Sequence, residues 1–399
     1  MRITKVETLR PLAHPSSLWI LLHDEKGNVG LGETFFSAST IEEYVHAIAA
    51  PLLFGLKAAH PENVQLALMP YVGFQAGGIE MRALGGIDIA IWDLWGKRLN
   101  APLAELLGGK VREKVKVYNT CAGNSYMKKT SVQNSSNWGV GEAKEKSYED
   151  LDAFMNRPAE LARDLFDSGI KGMKVWPFDP AAERTAGAAI SQEELDFGVN
   201  VISQIRNEVG DGMDIMVELH GLWTRPVAET IMNACAPYNI FWFEDPIRPD
   251  AFDAVANLRH STGLPIATGE TSTGRRGILP LLQQNAVDYI TLDVQWSGGL
   301  TEARKMASLA QTFATPIAPH DCTGPVALAA CTHLVLSTPN ALIQETVRAF
   351  INTWYQDFAT GIPPIADGNI SVTNAPGHGV HLQEWLFKDK EVIVRTSKG

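Results

Sequence analysis

A chain of 399 residues, 45% hydrophobic and 20% charged, is long enough to bury a large core, and its composition excludes a disordered protein. The formal net charge of −11 excludes a nucleic-acid partner, because phosphate binding needs a basic footprint; an anionic small substrate would need a cation or a local basic cluster to hold it. Cys121, Cys235, Cys322 and Cys331 form no CxxC pair, which points to a reducing compartment and not to a disulfide framework.

The N-terminal MRITKVETLRPL alternates as a strand does. The longest apolar run, residues 47–56, holds Pro51 and Gly55 and falls far short of the about 20 residues of a membrane span, so a cytoplasmic chain that meets no membrane is expected. ITKVETLRPL and SSLWILLHDEKGNVGLGET predict antiparallel strands with a turn at DEKGN. From Thr40 to about Leu107 the apolar spacing becomes helical, with Leu84, Ile87, Ile91 and Leu94 on one stripe. Residues 1–110 therefore read as an α+β domain. Residues 125–150 are polar and too long for a tight connection, as binding loops often are.

Beyond them, strand candidates alternate with helical stretches. VREKVKVYNTC is followed by KGMKVWPF, DIMVELH, IFWFEDP, LPIATGE, VDYITLDV, TPIAPHD and ALIQETV. Eight strands in βα alternation predict an α/β fold of the (β/α)8 barrel type over residues 111–350. The tail, residues 351–399, reads as a segment returning to cap the first domain through ADGNISVTNAPGHGVHL.

These strands end in ionisable residues. Lys174, Glu218 with His220, Glu244, Glu270, Asp293, His320 and Glu345 recur at roughly one βα unit per step, which gathers them at the C-terminal mouth of a barrel. Glu218 and His220 are two apart, so an extended strand would aim both the same way. So many acids repel one another unless a cation neutralises them. Glu218, Glu244 and Glu270, with no cysteine nearby, suit a hard divalent ion, Mg²⁺, with positions left open for a substrate carboxylate and α-hydroxyl.

This set resembles the enolase superfamily, and within it the mandelate racemase and muconate lactonizing enzyme family that contains acid-sugar dehydratases. GIDIAIWDLWGKRLNAPLAELLGG (86–109) resembles that family's link between capping domain and barrel; WFEDP and ATGE resemble its metal-ligand strands, and SGGLTEARKMASLA the stretch after the sixth barrel strand. The resemblance implies that Glu218, Glu244 and Glu270 bind Mg²⁺ and that His320 with Asp293 forms a His–Asp dyad. It implies that Glu345 hydrogen-bonds the substrate carboxylate. Many relatives carry two lysines separated by one residue on the second strand. Here Lys174 is kept and Trp176, which cannot abstract a proton, takes the second place.

ELHG resembles the acid-x-His-Gly pattern of dehydratases, in which the histidine protonates the leaving hydroxyl; Glu218 stands where Asp is usual. The expected reaction is Mg²⁺-dependent dehydration of a sugar acid, an aldonate or aldarate, to a 2-keto-3-deoxy acid. His320 would be the base, His220 the acid, and Lys174 would stabilise charge. A cycloisomerase acting on an anhydro-sugar acid or lactone, an epimerase or racemase, and a non-catalytic binding protein are the alternatives. Trp176, Arg225, His14, Phe35 and Phe36 are candidate substrate contacts, and the resemblance implies a homo-oligomer, a dimer or a multiple of one.

Overall fold

A three-strand antiparallel meander opens the chain: β1 (Ile3–Pro11), β2 (Ser17–Asp24) and β3 (Val29–Phe35). The structure, a computed structural model, describes residues 1–69, 77–130, 134–141 and 148–399. The last strand of the chain, Val392–Lys398, pairs antiparallel with β1 and completes a four-stranded sheet. One face of that sheet meets the helix Ile79–Leu99 across a core of Val6, Leu18, Ile20, Leu84, Ile87 and Ile91. The helix is buried on both sides, against the sheet and against the barrel, which is why its sequence is so weakly amphipathic. No helix among the described residues is long and apolar enough to cross a membrane.

The barrel follows. Its parallel staves are β4 (Val115–Thr120), β5 (Gly172–Val175), β6 (Asp214–Glu218), β7 (Trp242–Glu244), β8 (Ile266–Thr268), β9 (Tyr289–Ile290) and β10 (Gln344–Thr346), and β10 pairs with β4 to close the ring. The expected strand TPIAPHD is held only by single bridges, Ile290 to Ile317, Asp293 to His320 and Ile317 to Ala341. Pro316 and Pro319 explain this, because neither has an N–H to give to a ladder.

The barrel lumen is filled. Tyr118, Met216, Trp242, Ala267, Ala318 and Ile343 pack together inside it. Thr120, Glu218, Glu244, His320 and Glu345 each lie two residues further along the same segments. Strand alternation thus raises a polar layer directly above an apolar plug.

The tail divides its work differently from the expected capping segment. Its hairpin Ile365–Ala366 and Asn369–Ile370 pairs with β4 of the barrel. On either side of that hairpin the tail reaches the first domain: Trp354 and Phe358 pack on His14, and His378 Nε2 lies 2.8 Å from the Leu31 carbonyl oxygen.

Glu33 joins the two layers. It is 1% exposed and accepts hydrogen bonds from the Trp19 indole at 2.7 Å and from the Val326 and Ala327 amides at 2.9 Å, at the start of the helix Pro325–Ser337. Gly324 approaches so closely that a Cβ there would sit 2.2 Å from the carboxylate. Burial outweighs these donors and lifts the Glu33 pKa from 4.5 to about 7. The folded chain therefore binds this proton more tightly than the unfolded one. Its contribution, at most about 3 kcal/mol, is complete below the unfolded pKa and is lost as pH rises through the folded one. Glu33→Gln, which cannot ionise, is expected to melt below the wild type at pH 5 and to narrow that gap by pH 8; a gap that stays constant would contradict this.

Candidate active site

Three short segments bring the acids together. Glu218 ends β6 and Glu244 ends β7, while Glu270 lies two residues past β8. Ligand atoms of these three buried side chains lie within 4.8 Å of one another. Lys174, from β5 and 2% exposed, reaches Glu218 at 3.2 Å, Glu244 at 3.0 Å and Glu345 at 3.0 Å. A single ammonium thus faces three carboxylates, and Glu270 stands outside its reach. Burial and the neighbouring acids raise the pKa of Glu244 well above its ordinary value, although Lys174 pulls the other way. One Glu244 oxygen, Oε1, is buried without a hydrogen-bond partner among the described residues. An orphaned carboxylate oxygen in a cluster of three acids is a donor set that suits a hard divalent cation.

Two histidines flank this cluster, each on its own carboxylate. His320 Nδ1 lies 2.8 Å from Asp293, whose other oxygen accepts the Gln295 and Trp296 amides at 2.6 Å. That bond turns His320 Nε2 towards the acids, 3.5 Å from Glu270. Burial disfavours the imidazolium, but Glu270, Glu345 and Asp293 outweigh it and hold the pKa of His320 well above ordinary. A cation among the glutamates would relieve that pull.

His220 Nδ1 lies 2.7 Å from Asp179. Its pKa is raised to about 10, because Asp179 and Glu218 outweigh burial. An extended strand does not place this ring. β6 ends at Glu218, and His220 and Gly221 are left-handed at φ 50° and 65°. The Leu219 and His220 amides donate back to Glu218 Oε1 at 3.1 and 2.8 Å, so a tight turn aims the histidine.

Glu345 is held on all sides. Oε1 meets Lys174 and accepts from the Thr120 hydroxyl, and Oε2 accepts the Asp321 amide at 2.9 Å. Burial is outweighed by Lys174 and His320, and its pKa falls to about 2. Through Oε1, Glu345 anchors the Lys174 ammonium at 3.0 Å.

The candidate substrate contacts scatter. Phe36 lines the cavity above the acids, with Phe35 buried behind it at 4.8 Å between ring centroids. Trp176 is 2% exposed in an aromatic cluster with Phe154 and Trp138, its edge against the His220 ring at 5.8 Å. It braces the histidine and is not an open wall. His14 packs on Trp354 and Phe358, and burial lowers its pKa to about 4. Arg225 does not join the site. It opens the helix Arg225–Cys235 and pairs with Glu229 at 3.0 Å in solvent, one turn along the same helix. Of the polar stretch 125–150, Asn134 and Trp138 line the cavity, while residues 131–133 and 142–147 lie outside those described.

Several neighbours were not foreseen. Asp179, Asp245 and Arg82 line the cavity, and Trp296 packs on His320 at 4.8 Å. Asp245 follows Glu244 with φ 39° and pairs with the Thr268 hydroxyl. Asp321 is buried, with both carboxylate oxygens unpartnered among the described residues. None of these carries a period or spacing of its own.

Comparison with known proteins identifies relatives over the whole chain. A family model described as enolase C-terminal domain-like matches residues 157–386, and the mandelate racemase / muconate lactonizing enzyme N-terminal domain matches residues 12–108. The chain is 28% identical to a D-galactonate dehydratase of Pectobacterium atrosepticum, over 100% of this chain and 95% of that protein. It is 30% identical to one of Klebsiella pneumoniae, over 86% and 81%. Among solved structures, an enolase of the mandelate racemase subgroup from Agrobacterium tumefaciens is 40% identical with a TM-score of 0.88, covering 100% of this chain and 99% of that one. An enolase from Sargasso Sea environmental sequencing is 39% identical with a TM-score of 0.87, at the same coverage.

Proposed function

The chain belongs to the mandelate racemase and muconate lactonizing enzyme family of the enolase superfamily, and on that premise we propose that it dehydrates a sugar acid to a 2-keto-3-deoxy acid. The observation that carries this reading is the pair of imidazoles, His320 on Asp293 and His220 on Asp179, on either side of the glutamate cluster. Removing water needs a base for the C2 proton and an acid for the departing 3-hydroxyl, and the site offers one of each. The relatives named D-galactonate dehydratase support the same reaction class. Racemisation fits less well, because the position of a second base, just past the end of β5, holds Trp176, an indole enclosed by other aromatics.

Glu218, Glu244 and Glu270 would hold Mg²⁺. Bound there, the ion supplies Lewis-acid stabilisation of negative charge on the substrate carboxylate. His320, oriented by Asp293, takes the C2 proton on Nε2, and the electron pair moves towards the carboxylate. Lys174, fixed by Glu345, presents its ammonium where that charge develops. The pair then forms the C2–C3 double bond as the C3–O bond breaks. His220 gives its proton to the departing hydroxyl, and the enol tautomerises to the keto acid.

The two steps separate experimentally. His220→Asn leaves the base intact, so deuterium should still enter C2 from heavy water while keto acid formation falls by about 10²- to 10⁴-fold. Panels of hexonates, pentonates and aldarates supply the substrate, and both readings come from one reaction mixture. Parallel loss of exchange and dehydration, or no change in either, would remove His220 from the acid role.

A further inference from the structure

The cavity over the acids has a volume of about 1690 Å³ and opens between barrel and capping domain. Its rim carries arginines that are already engaged or exposed. Arg248 pairs with Asp250 at 2.7 Å and Arg275 with Glu302 at 2.8 Å, with side chains 74% and 51% exposed, and Arg276 is exposed beside them.

Arg82 is different. It comes from the first turn of the capping-domain helix Ile79–Leu99 and is only partly exposed. Its guanidinium lies 4.4 Å from the Trp296 ring and 5.7 Å from the Phe36 ring, and Nη1 donates to the Phe35 carbonyl at 3.0 Å. Among the described residues no carboxylate stands within ion-pair distance of it. The ring faces stabilise the cation but neither neutralise it nor fill its remaining donors. Dehydration as described above gives this group nothing to do.

We propose that Arg82 binds a second carboxylate of the substrate, which makes the substrate a sugar diacid and not a monoacid. The inference rests on the dehydratase reading and adds the chemistry of the far end. The bowl is lined by acids, Glu270, Asp245 and Asp179 among them, so a distal carboxylate is repelled unless a cation of its own meets it. A guanidinium offers a planar fork that matches a carboxylate. Its place is also suitable. Trp296 touches both Arg82 and, at 4.8 Å, His320, so the width of one indole links the anion subsite to the base. A chain of a few carbons spans that separation, with C2 at the imidazole and the far carboxylate at the arginine. Sugar acids with a terminal hydroxymethyl group leave the fork unfilled.

A rival role is purely mechanical, with Arg82 pressing Trp296 against His320. Binding distinguishes the two. In Mg²⁺-loaded His320→Asn protein, calorimetric titration should show a hexarate binding at least about 30-fold more tightly than the hexonate of the same stereochemistry. Adding Arg82→Gln should erase most of that preference while sparing the hexonate, and Arg82→Lys, which keeps the charge without the fork, should restore part of it. Equal binding of the two acids, no binding of the hexarate, or equal weakening of both by Arg82→Gln would overturn the proposal. Turnover separates it from the reading beneath it. A diacid preference in binding with no keto acid from either compound defeats dehydration and leaves Arg82 in place. Keto acid formed equally well from both defeats Arg82 and leaves dehydration standing.

Discussion

Replacing His320 by asparagine is expected to abolish deuterium uptake at C2 and keto acid formation together, each by at least about 10³-fold, with the fold preserved. The simultaneous loss follows from order: no hydroxyl leaves before the C2 proton does. Preservation of the fold follows from the surroundings of Asp293. Its Oδ1 keeps the Gln295 and Trp296 amides at 2.6 Å, so losing the imidazole does not strand a bare buried charge. The asparagine amide can still reach towards Oδ2. Proton exchange at C2, read by NMR in heavy water alongside a thermal melt, checks both halves. Exchange that persists in a folded variant would assign the base to another group.

The second large effect has two signs in one variant. Glu244 is fully buried among Glu218, Glu270 and Glu345, and its charged form is strongly disfavoured there. Glu244→Gln removes part of that repulsion and keeps a side chain of the same shape. Metal-free protein should therefore melt no lower than the wild type. A cation, however, loses one of three charged ligands, and the increase in Tm that Mg²⁺ gives the wild type should shrink or vanish, because stabilisation by a ligand scales with its affinity for the folded state. Activity should fall by at least about 100-fold, since removing even a group behind a metal ligand costs up to that much. Thermal melts with and without Mg²⁺ report both effects. A variant that loses stability without the ion yet keeps the full Mg²⁺ response would show that Glu244 is a structural acid.

Much of this site is readable in the chain because a barrel converts sequence distance into position. Acids at the ends of successive strands arrive at one rim, and the period of two along each strand puts Glu218 above Met216 and Glu244 above Trp242. The capping sheet is readable for the same reason, from strand alternation and the DEKGN turn. What escaped comes from three other sources. Asp179 and Arg82 reach the cavity from helices and Trp296 from a loop, and each meets its partner across long sequence separations that no period encodes. His220 is aimed by a left-handed turn, a backbone choice that the strand reading of ELH hid. The prolines of TPIAPHD leave a stave held by bridges, so His320 sits on a segment that is extended but scarcely laddered.

Arg225 shows the opposite error. Its closeness in sequence to His220 suggested a shared cavity, but a helix begins at Arg225 and turns the side chain to Glu229 and solvent. Residues a few positions past a barrel strand diverge as soon as the following helix starts, because successive side chains then rotate by about 100°.

The most direct measurement is deuterium uptake at C2 of the undehydrated sugar acid with His220→Asn protein, in which exchange is expected to outlive dehydration, while Mg²⁺ is titrated into the chelator-stripped chain. Without the ion, Lys174 alone faces the substrate's developing charge, and uptake should be negligible. It should return in proportion to occupancy of about one ion per chain and stay absent when Glu218, Glu244 and Glu270 are all replaced by glutamine. Undiminished uptake in stripped protein with chelator present would contradict the claim that these three glutamates hold the cation that makes the carbon acid accessible to an imidazole.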